Sequence, residues 1–413
     1  MIPKTDRLSI FKHIALLFFL IMTVSLISSC GSSDLLQKID TISSFQPEKR
    51  SETISAADTE SFSDTREESI EESIEESADD LYYYYNLLDT EQKELYMTIL
   101  KGYQNLDTDI RLNTDKIQLI SLIEMVLNDH PELFWIDTSY KYSVYPSYVV
   151  FHPEYTCDAA KKEQRMEEID CAADEILNTL SQETSDYSKI RQVFEYLIDT
   201  VSYNPDAEDN QNIFSSLVRK ERVCAGYAKA TQYLLQKAGI SCIYVTGIIT
   251  DGGSHAWNIV RCDGNYYQVD TTFGASSYTN PETEMQQIEI PNELTYNYAY
   301  LCCNDDILYR DRTVSEYEIP LPECSLDDYN YYIMNGICYN TLSSEVTDAI
   351  ARSISSGETY WQCQFSSYEA FEEMTIQLQE GLYGNMILEH FRSGSFHTYY
   401  SCDPKTLTIK MWY

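Results

Sequence analysis

Arg222-Val223-Cys224-Ala225-Gly226-Tyr227-Ala228, Ser254-His255-Ala256-Trp257-Asn258 and Tyr267-Gln268-Val269-Asp270-Thr271-Thr272 follow one another within a short stretch of the chain, and their reading decides the fold. Cys224 falls where a helix should begin. Tyr227, Ala230, Leu234 and Ala238 recur at helical spacing from Ala225 to Ala238, and Gly239 reads as the stop. His255 lies in a strand pattern and Asp270 on the next strand. Asp263-Gly264 between them is a two-residue hairpin signal. That turn places Cys262 opposite Asn265 and Trp257 opposite Asp270. Side chains alternate along a strand, so His255 shares a face with Trp257. His255 and Asp270 then become diagonal neighbours, roughly 7–8 Å apart at the backbone and within side-chain reach. A three-residue loop would put them on opposite faces, so the arrangement requires the tight turn.

A thiol, an imidazole and a carboxylate so placed read as a nucleophile, its base and the group that orients the base. The positive end of a helix dipole and a neighbouring imidazolium both stabilise a thiolate. A lone cysteine would read as an inert buried thiol; the matching settings of His255 and Asp270 argue otherwise. Trp257 reads as packing that shields the pair from water.

These segments resemble the transglutaminase-like superfamily, a papain-related fold with catalytic order Cys, His, Asp. The likeness lies in a V-C-x-G-Y-A helix start, an H-A-W-N strand and a V-D-x-T-F strand, and covers about Tyr187 to Ala275. It implies an α+β fold: a helix carrying the cysteine, packed on an antiparallel sheet carrying the histidine and the aspartate. Position by position it makes Cys224 the nucleophile, His255 the base and Asp270 its partner. It also implies an upstream oxyanion donor at Gln211, alongside the backbone N–H of Cys224. No cofactor or metal is expected.

Outward from this core, the N-terminus reads as a targeting segment. Lys4, Arg7 and Lys12 precede an apolar run from Ile14 to Ile27, short for a transmembrane helix, which needs about 20 residues. The run ends in Leu26-Ile27-Ser28-Ser29-Cys30, which resembles a bacterial lipobox and implies cleavage before Cys30 and lipidation of its thiol. The alternative is an ordinary signal peptide. Residues 31–80 hold 15 acidic and 4 basic residues, with Glu67-Glu68-Ser69-Ile70 repeated as Glu71-Glu72-Ser73-Ile74. Such composition reads as a disordered acidic tether, or at most a short exposed helix. The expected organisation is a lipoprotein signal peptide at 1–29, a tether at 30–80, a helical and strand subdomain at 81–155, the catalytic domain at 156–315 and a small α+β subdomain at 316–413.

The chain carries a net charge of −37, which makes nucleic acid and anionic surfaces poor partners. It holds 12 cysteines and 35 tyrosines. An exported chain with that many cysteines could hold disulfides, but no framework spacing or CxxC pair is present, which argues against structural zinc.

Helices are expected through Leu88, Leu95, Ile99 and Leu100, and through Ile117, Ile120, Ile123 and Leu127, the second stopping before Pro131. Asp129-His130-Pro131-Glu132-Leu133-Phe134-Trp135 reads as a helix end with an aromatic anchor. Tyr140 to His152 reads as strands. Met166, Ile169, Ala173, Ile176 and Leu180 form one helical stripe, and Ile190, Val193, Phe194 and Leu197 another. Asp206 to Asn210 reads as a solvated turn. Further on, Tyr331 to Tyr339 reads as a hairpin about Asn335-Gly336, Ser343 to Ile354 as a helix closed by Gly357, and Tyr360 to Phe365 as a strand. Ser366 with Glu369 reads as a capping box, Leu407 to Trp412 as a final strand, and His390 and His397 as structural or exposed.

The residues therefore imply a membrane-anchored extracytoplasmic enzyme acting on a protein or peptide at the cell surface. Water and a lysine amine resolve the same acyl-enzyme, so the triad does not separate hydrolysis of a peptide or amide bond from isopeptide cross-linking; hydrolysis is the outcome that the resemblance to anchored bacterial relatives favours. A non-catalytic binding module on the same fold, or a surface lipoprotein that recognises a wall polymer or host protein through its tyrosine-rich flanks, are the alternatives.

Overall fold

The computed structural model describes residues 81–180, 185–250, 252–275, 290–315, 320–383 and 398–413. The apolar run, Cys30, the acidic segment, His390 and His397 lie outside the described residues. The chain begins with helices α1 (Tyr83–Leu87) and α2 (Thr90–Asn105), strand β1 (Ile110–Leu112) and helix α3 (Lys116–Asp129). Strands β2 (Ile136–Val144) and β3 (Val149–Tyr155) follow, and the three strands form a sheet in the order β1-β3-β2. Asp89 opens α2 with a capping box, and Asp115 caps α3. The buried face of α3 is Leu119, Leu122, Ile123, Met125 and Val126, while Ile117 is exposed, so the expected stripe is corrected by about a third of a turn. Met125 and Val126 supply apolar surface that the stripe of Ile117, Ile120, Ile123 and Leu127 leaves out.

The segment after α3 acts as an anchor. Asp129 accepts the backbone N–H groups of Tyr84 and Tyr85 at 3.2 and 2.9 Å and the Tyr96 hydroxyl at 3.0 Å. His130 Nδ1 lies 2.7 Å from Glu132, and Trp135 donates to the Tyr103 carbonyl at 2.9 Å. The four groups tie α1, α2 and α3 together without leaving a charge unmatched in the interior.

Two amphipathic helices come next, α4 (Ala159–Leu180) and α5 (Asp186–Thr200). Ile169, Ala173 and Ile176 of the first are buried, as are Ile190, Val193, Phe194 and Leu197 of the second. A parallel pair, β4 (Ser202–Tyr203) and β5 (Glu221–Arg222), then brackets a turn of π-helix at Ser215–Arg219. The turn at 206–210 reaches back, with Asp209 3.1 Å from Arg165.

Helix α6 (Cys224–Lys237) starts at the cysteine itself, and Gly239 at φ +81° ends its exit turn. Strands β6 (Cys242–Ile249), β7 (Ser254–Cys262) and β8 (Asn265–Val269) form an antiparallel sheet, ordered β8-β7-β6-β9. The last strand comes after α7 (Thr271–Gly274) and α8 (Asp305–Leu308), as β9 (Arg312–Val314). Asn258 of β7 donates to the Ala228 carbonyl of α6 at 3.0 Å. Gln232 and Gln236 of α6 donate to the carbonyls of Asn128 and Asp129 at 2.6 and 3.0 Å. The cysteine helix is thus held between the sheet and the end of α3. One apolar core runs from Tyr84 through α6 and the sheet to Tyr332.

The C-terminal unit has a second core around Val346, Ile350, Phe365, Met374 and Ile409. It contains α9 (Tyr331–Met334), β10 (Cys338–Tyr339), α10 (Ser344–Ser356), β11 (Tyr360–Phe365), α11 (Tyr368–Gln379), β12 (Tyr399–Asp403) and β13 (Thr408–Trp412). Its sheet runs β10-β11-β13-β12. The expected hairpin about Asn335-Gly336 is corrected: Asn330 caps a helical turn at Tyr332 N–H, and Gly336 at φ +66° ends it. An Asn-Gly pair serves a helix end as readily as a hairpin, because both need a left-handed residue. The cap of α11 is Ser367, one residue later than expected, because Ser366 is drawn to Asn340. Gly357, at φ +86°, closes α10 as expected. The described residues have an α+β fold, and among them no helix is long and apolar enough to cross a membrane.

Gly226 sits where the first turn of α6 meets its surroundings. A Cβ there would lie 2.7 Å from the Asn210 carbonyl oxygen and 2.8 Å from both Arg222 Cβ and Ser216 Oγ. Gly226→Ala should therefore lower the unfolding free energy by about 1–3 kcal/mol, as expected for overpacking, read as a reduced urea midpoint. A midpoint equal to that of the wild type would show that the turn has room to give.

Candidate active site

Three elements aim three side chains. The extended Val223 (φ −111°, ψ −175°) turns the chain into α6, so Cys224 is the first helical residue and remains partly exposed. Val223 caps the helix without a side-chain oxygen, which leaves the N–H groups of the first turn to a ligand. Arg222 locks the approach: its fully buried guanidinium donates to the carbonyls of Leu197 at 2.6 Å and Ser216 at 3.3 Å and lies 3.7 Å from the Tyr227 ring centre.

The β7–β8 hairpin turns at Asp263 and Gly264, both at positive φ (47° and 86°), as a two-residue turn of the primed type requires. Cys262 pairs with Asn265 and Asn258 with Val269, the register expected from the sequence. Asp270 stands one residue beyond the end of β8, so its placement on the strand is corrected: it caps α7, accepting the Phe273 N–H at 3.0 Å through Oδ1. Its own N–H donates to the Tyr300 carbonyl at 2.9 Å. The other carboxylate oxygen, Oδ2, lies 2.7 Å from His255 Nε2. With Nε2 so occupied, Nδ1 is the ring nitrogen left for Cys224, which lies near enough to raise the histidine pKa.

His255 is 4% exposed and Asp270 fully buried. Burial by itself would lower the histidine pKa, but the Asp270 carboxylate and then Cys224 raise it to about 9. Burial would likewise raise the aspartate, but His255, Arg312 and the Phe273 N–H hold it at about 2. The stable form of the pair is therefore imidazolium and carboxylate. The Phe273 ring stands edge-on to the imidazole at 4.9 Å, and Trp257 stacks at 6.0 Å. Trp257 is itself fixed by its indole N–H donating to Gln268 at 2.9 Å. These rings exclude water from the ion pair and strengthen it.

Arg312 also belongs to this site, and sequence reasoning missed it. Its Nη1 donates to Asp270 Oδ2, and its Nε to Asp311 Oδ1 at 2.9 Å. The guanidinium carbon lies 4.8, 5.4 and 5.5 Å from the ring centres of Phe273, Tyr300 and Trp257. Nothing in Asp311-Arg312-Thr313 forms a motif, and a three-residue edge strand has no readable periodicity.

Gln211, expected as an oxyanion donor, is exposed and lies in the turn that precedes the π-helix. Its neighbour Asn210 accepts the Val223 N–H at 3.0 Å, so the turn is packed beside the start of α6. His152 bridges Asp109 at 2.6 Å and Ser143 at 3.0 Å on the first sheet, away from this cluster. Among the described residues every cysteine is unpaired, and Cys242, Cys262, Cys302, Cys303, Cys324 and Cys363 are buried thiols whose pKa burial raises.

Residues 174–271 match the family model of the transglutaminase-like superfamily. The curated relatives include the kyphoscoliosis peptidases of Mus musculus, 27% identical over 118 residues, and of Homo sapiens, 27% identical over 119 residues. These matches cover 24% and 25% of this chain and 18% of each relative, so the chain spans less than a fifth of their length. Among solved structures, a TGase aligns at 12% identity over 43% of this chain and 54% of its own, with a TM-score of 0.26. A proposed cysteine protease from Cytophaga hutchinsonii aligns at 15% identity over 33% of this chain and 62% of its own, with a TM-score of 0.24.

The ion pair makes stability depend on pH in a defined way. The histidine is raised from 6.5 to about 9, so its contribution is complete below about pH 6.5 and is lost as pH rises through 9. The aspartate is lowered from 3.8 to about 2, so its contribution is complete above about pH 3.8 and is lost as pH falls through 2. Urea midpoints of the wild type should fall between pH 6.5 and 9 more steeply than those of His255→Ala. Parallel curves for the two proteins would mean that His255 is not held as imidazolium.

Proposed function

We propose, on the premise that residues 174–271 place this chain in the transglutaminase-like superfamily, that it is a cysteine-dependent hydrolase of peptide or amide bonds. The observation that carries the reading is the buried hydrogen bond from His255 to Asp270, which leaves His255 Nδ1 for the neighbouring Cys224. In the thiolate–imidazolium form of the pair, with Nε2 held by Asp270 and a proton on Nδ1, the Cys224 sulfur attacks the carbonyl carbon. The oxyanion is met by the Cys224 N–H at the uncapped helix start, with Gln211 as a second donor. His255 Nδ1 then gives its proton to the leaving amine, which departs as the C–N bond breaks. Water, deprotonated by the same nitrogen, attacks the thioester, releases the acid as the C–S bond breaks and restores the thiolate–imidazolium pair. Asp270 holds the ring and stabilises its cationic form throughout.

Hydrolysis is preferred to cross-linking on the peptidase relatives, which match this part of the chain. The proposal includes the expected anchoring: lipidation at Cys30, with the acidic tether of residues 31–80 holding the enzyme off an extracytoplasmic membrane surface, where it meets a protein or peptide substrate.

Alkylation of each cysteine at about pH 6, mapped by mass spectrometry, tests the thiolate–imidazolium pair at a pH where ordinary thiols are protonated. Cys224 should react at least tenfold faster than the other thiols, and His255→Ala should remove the advantage. Equal reactivity, unchanged by His255→Ala, would point to a binding module instead. With a glutamine peptide and a primary amine present, release of acid rather than a cross-linked amide separates hydrolase from transglutaminase.

A further inference from the structure

The C-terminal unit carries no residue of the triad, yet it grips the two segments that hold Asp270 in place. The turn between β12 and β13 is built by Asp403, whose carboxylate accepts the Lys405 N–H at 2.9 Å and the Thr406 hydroxyl at 2.8 Å. It presents Lys405, whose Nζ lies 3.3 Å from Asp311 Oδ2, while the Lys405 carbonyl accepts Arg310 at 3.3 Å. Asp311 in turn holds Arg312 Nε, and Arg312 Nη1 holds Asp270. A second line runs through Lys410 of β13. Its buried ammonium donates to the carbonyls of Leu294 at 2.9 Å and Tyr296 at 2.7 Å. That segment bridges Ala275 through Tyr296 and covers α7, with the Asn297 N–H donating to the Gly274 carbonyl at 2.6 Å. The first line ends at Asp270 itself, and the second at the helical turn that Asp270 caps.

We propose that Arg312 is a positioning residue of the triad and that the C-terminal unit, through Lys405 and Asp311, aims it. The inference rests on Cys224, His255 and Asp270 acting as proposed above. Its chemistry is that of a planar fork. The guanidinium has enough donors to span two carboxylates at once, and three aromatic rings keep it from turning. Asp270 Oδ2 is thus fixed from behind while it accepts the imidazole N–H from the front. The other titratable groups facing these contacts are Tyr300 and Cys303, both held neutral by burial, Asp403 in the turn that presents Lys405, and Lys410, which burial lowers to about 7 and Asp403 partly restores.

The test uses the full chain and iodoacetate, whose carboxylate favours a thiolate that sits beside an imidazolium. The rate at Cys224 then falls as the histidine loses its proton, and the position of that falling limb reports how well Asp270 holds the ring. In Arg312→Met, a loosened carboxylate should move the limb down by about one pH unit, or tenfold in the ion pair at fixed pH. Were Arg312 only a nearby cation, its removal would relieve repulsion and move the limb up. An upward shift or an unmoved limb therefore overturns the proposal.

Lys405 is 40% exposed, so Lys405→Gln should keep the fold and serves if Arg312→Met does not fold. It should move the limb down by about half a unit, roughly threefold, with an unchanged melting temperature. An unmoved limb there overturns the role of the C-terminal unit. Slow wild-type Cys224 would sink the hydrolase reading and this inference with it; fast wild-type Cys224 with unmoved variants sinks this inference alone.

Discussion

The buried carboxylate of Asp270 is the constraint on which the rest of the site depends. A carboxylate removed from water costs several kcal/mol unless cations and hydrogen bonds replace its hydration. Here one oxygen meets His255 and Arg312, and the other accepts the Phe273 N–H. Every oxygen has a partner, and the charge is shared between a group that can give up its proton and one that cannot. Arg312 remains charged at all working pH values, so Asp270 stays ionised whether the imidazole carries its proton or has passed it on.

That arrangement explains features of the sheet that packing alone would not require. The register between β7 and β8 must bring position 255 and position 270 onto one face, and only a two-residue loop does so. The short edge strand β9 contributes little apolar burial, but it delivers Arg312 behind the carboxylate from the far side of β6. Trp257, Phe273 and Tyr300 fill the remaining space around both cations. The aromatic side chains exclude water, which raises the strength of each charge–charge contact they surround.

The cysteine is held by a different set of contacts. Gly226 lets the helix start lie against the Asn210 carbonyl, and Arg222 fixes the strand that leads into it through backbone carbonyls and the face of Tyr227. The glutamines at positions 232 and 236 tie the same helix to the end of α3. The N-terminal helices therefore brace α6, and the C-terminal unit braces Asp270. The two halves of the site are supported from opposite ends of the chain.

The local sequence carried the start of α6, the Asp263-Gly264 turn, the pairing of Cys262 with Asn265 and the meeting of His255 with Asp270. Each depends on residues close together in the chain, where periodicity, turn chemistry and side-chain alternation act directly. Gly357 as a helix stop and the β11 strand were legible for the same reason. The Asn335-Gly336 pair was misread because one dipeptide suits both a hairpin and a helix end, and the choice falls to Asn330 and the surrounding core. Arg312, Lys405 and the docking of the C-terminal unit were illegible. They lie 42 and 135 residues beyond Asp270, in segments without motif or period. Their partnership exists only because a desolvated carboxylate selects whatever cation the folded chain can bring to it, and that choice is made by tertiary structure alone.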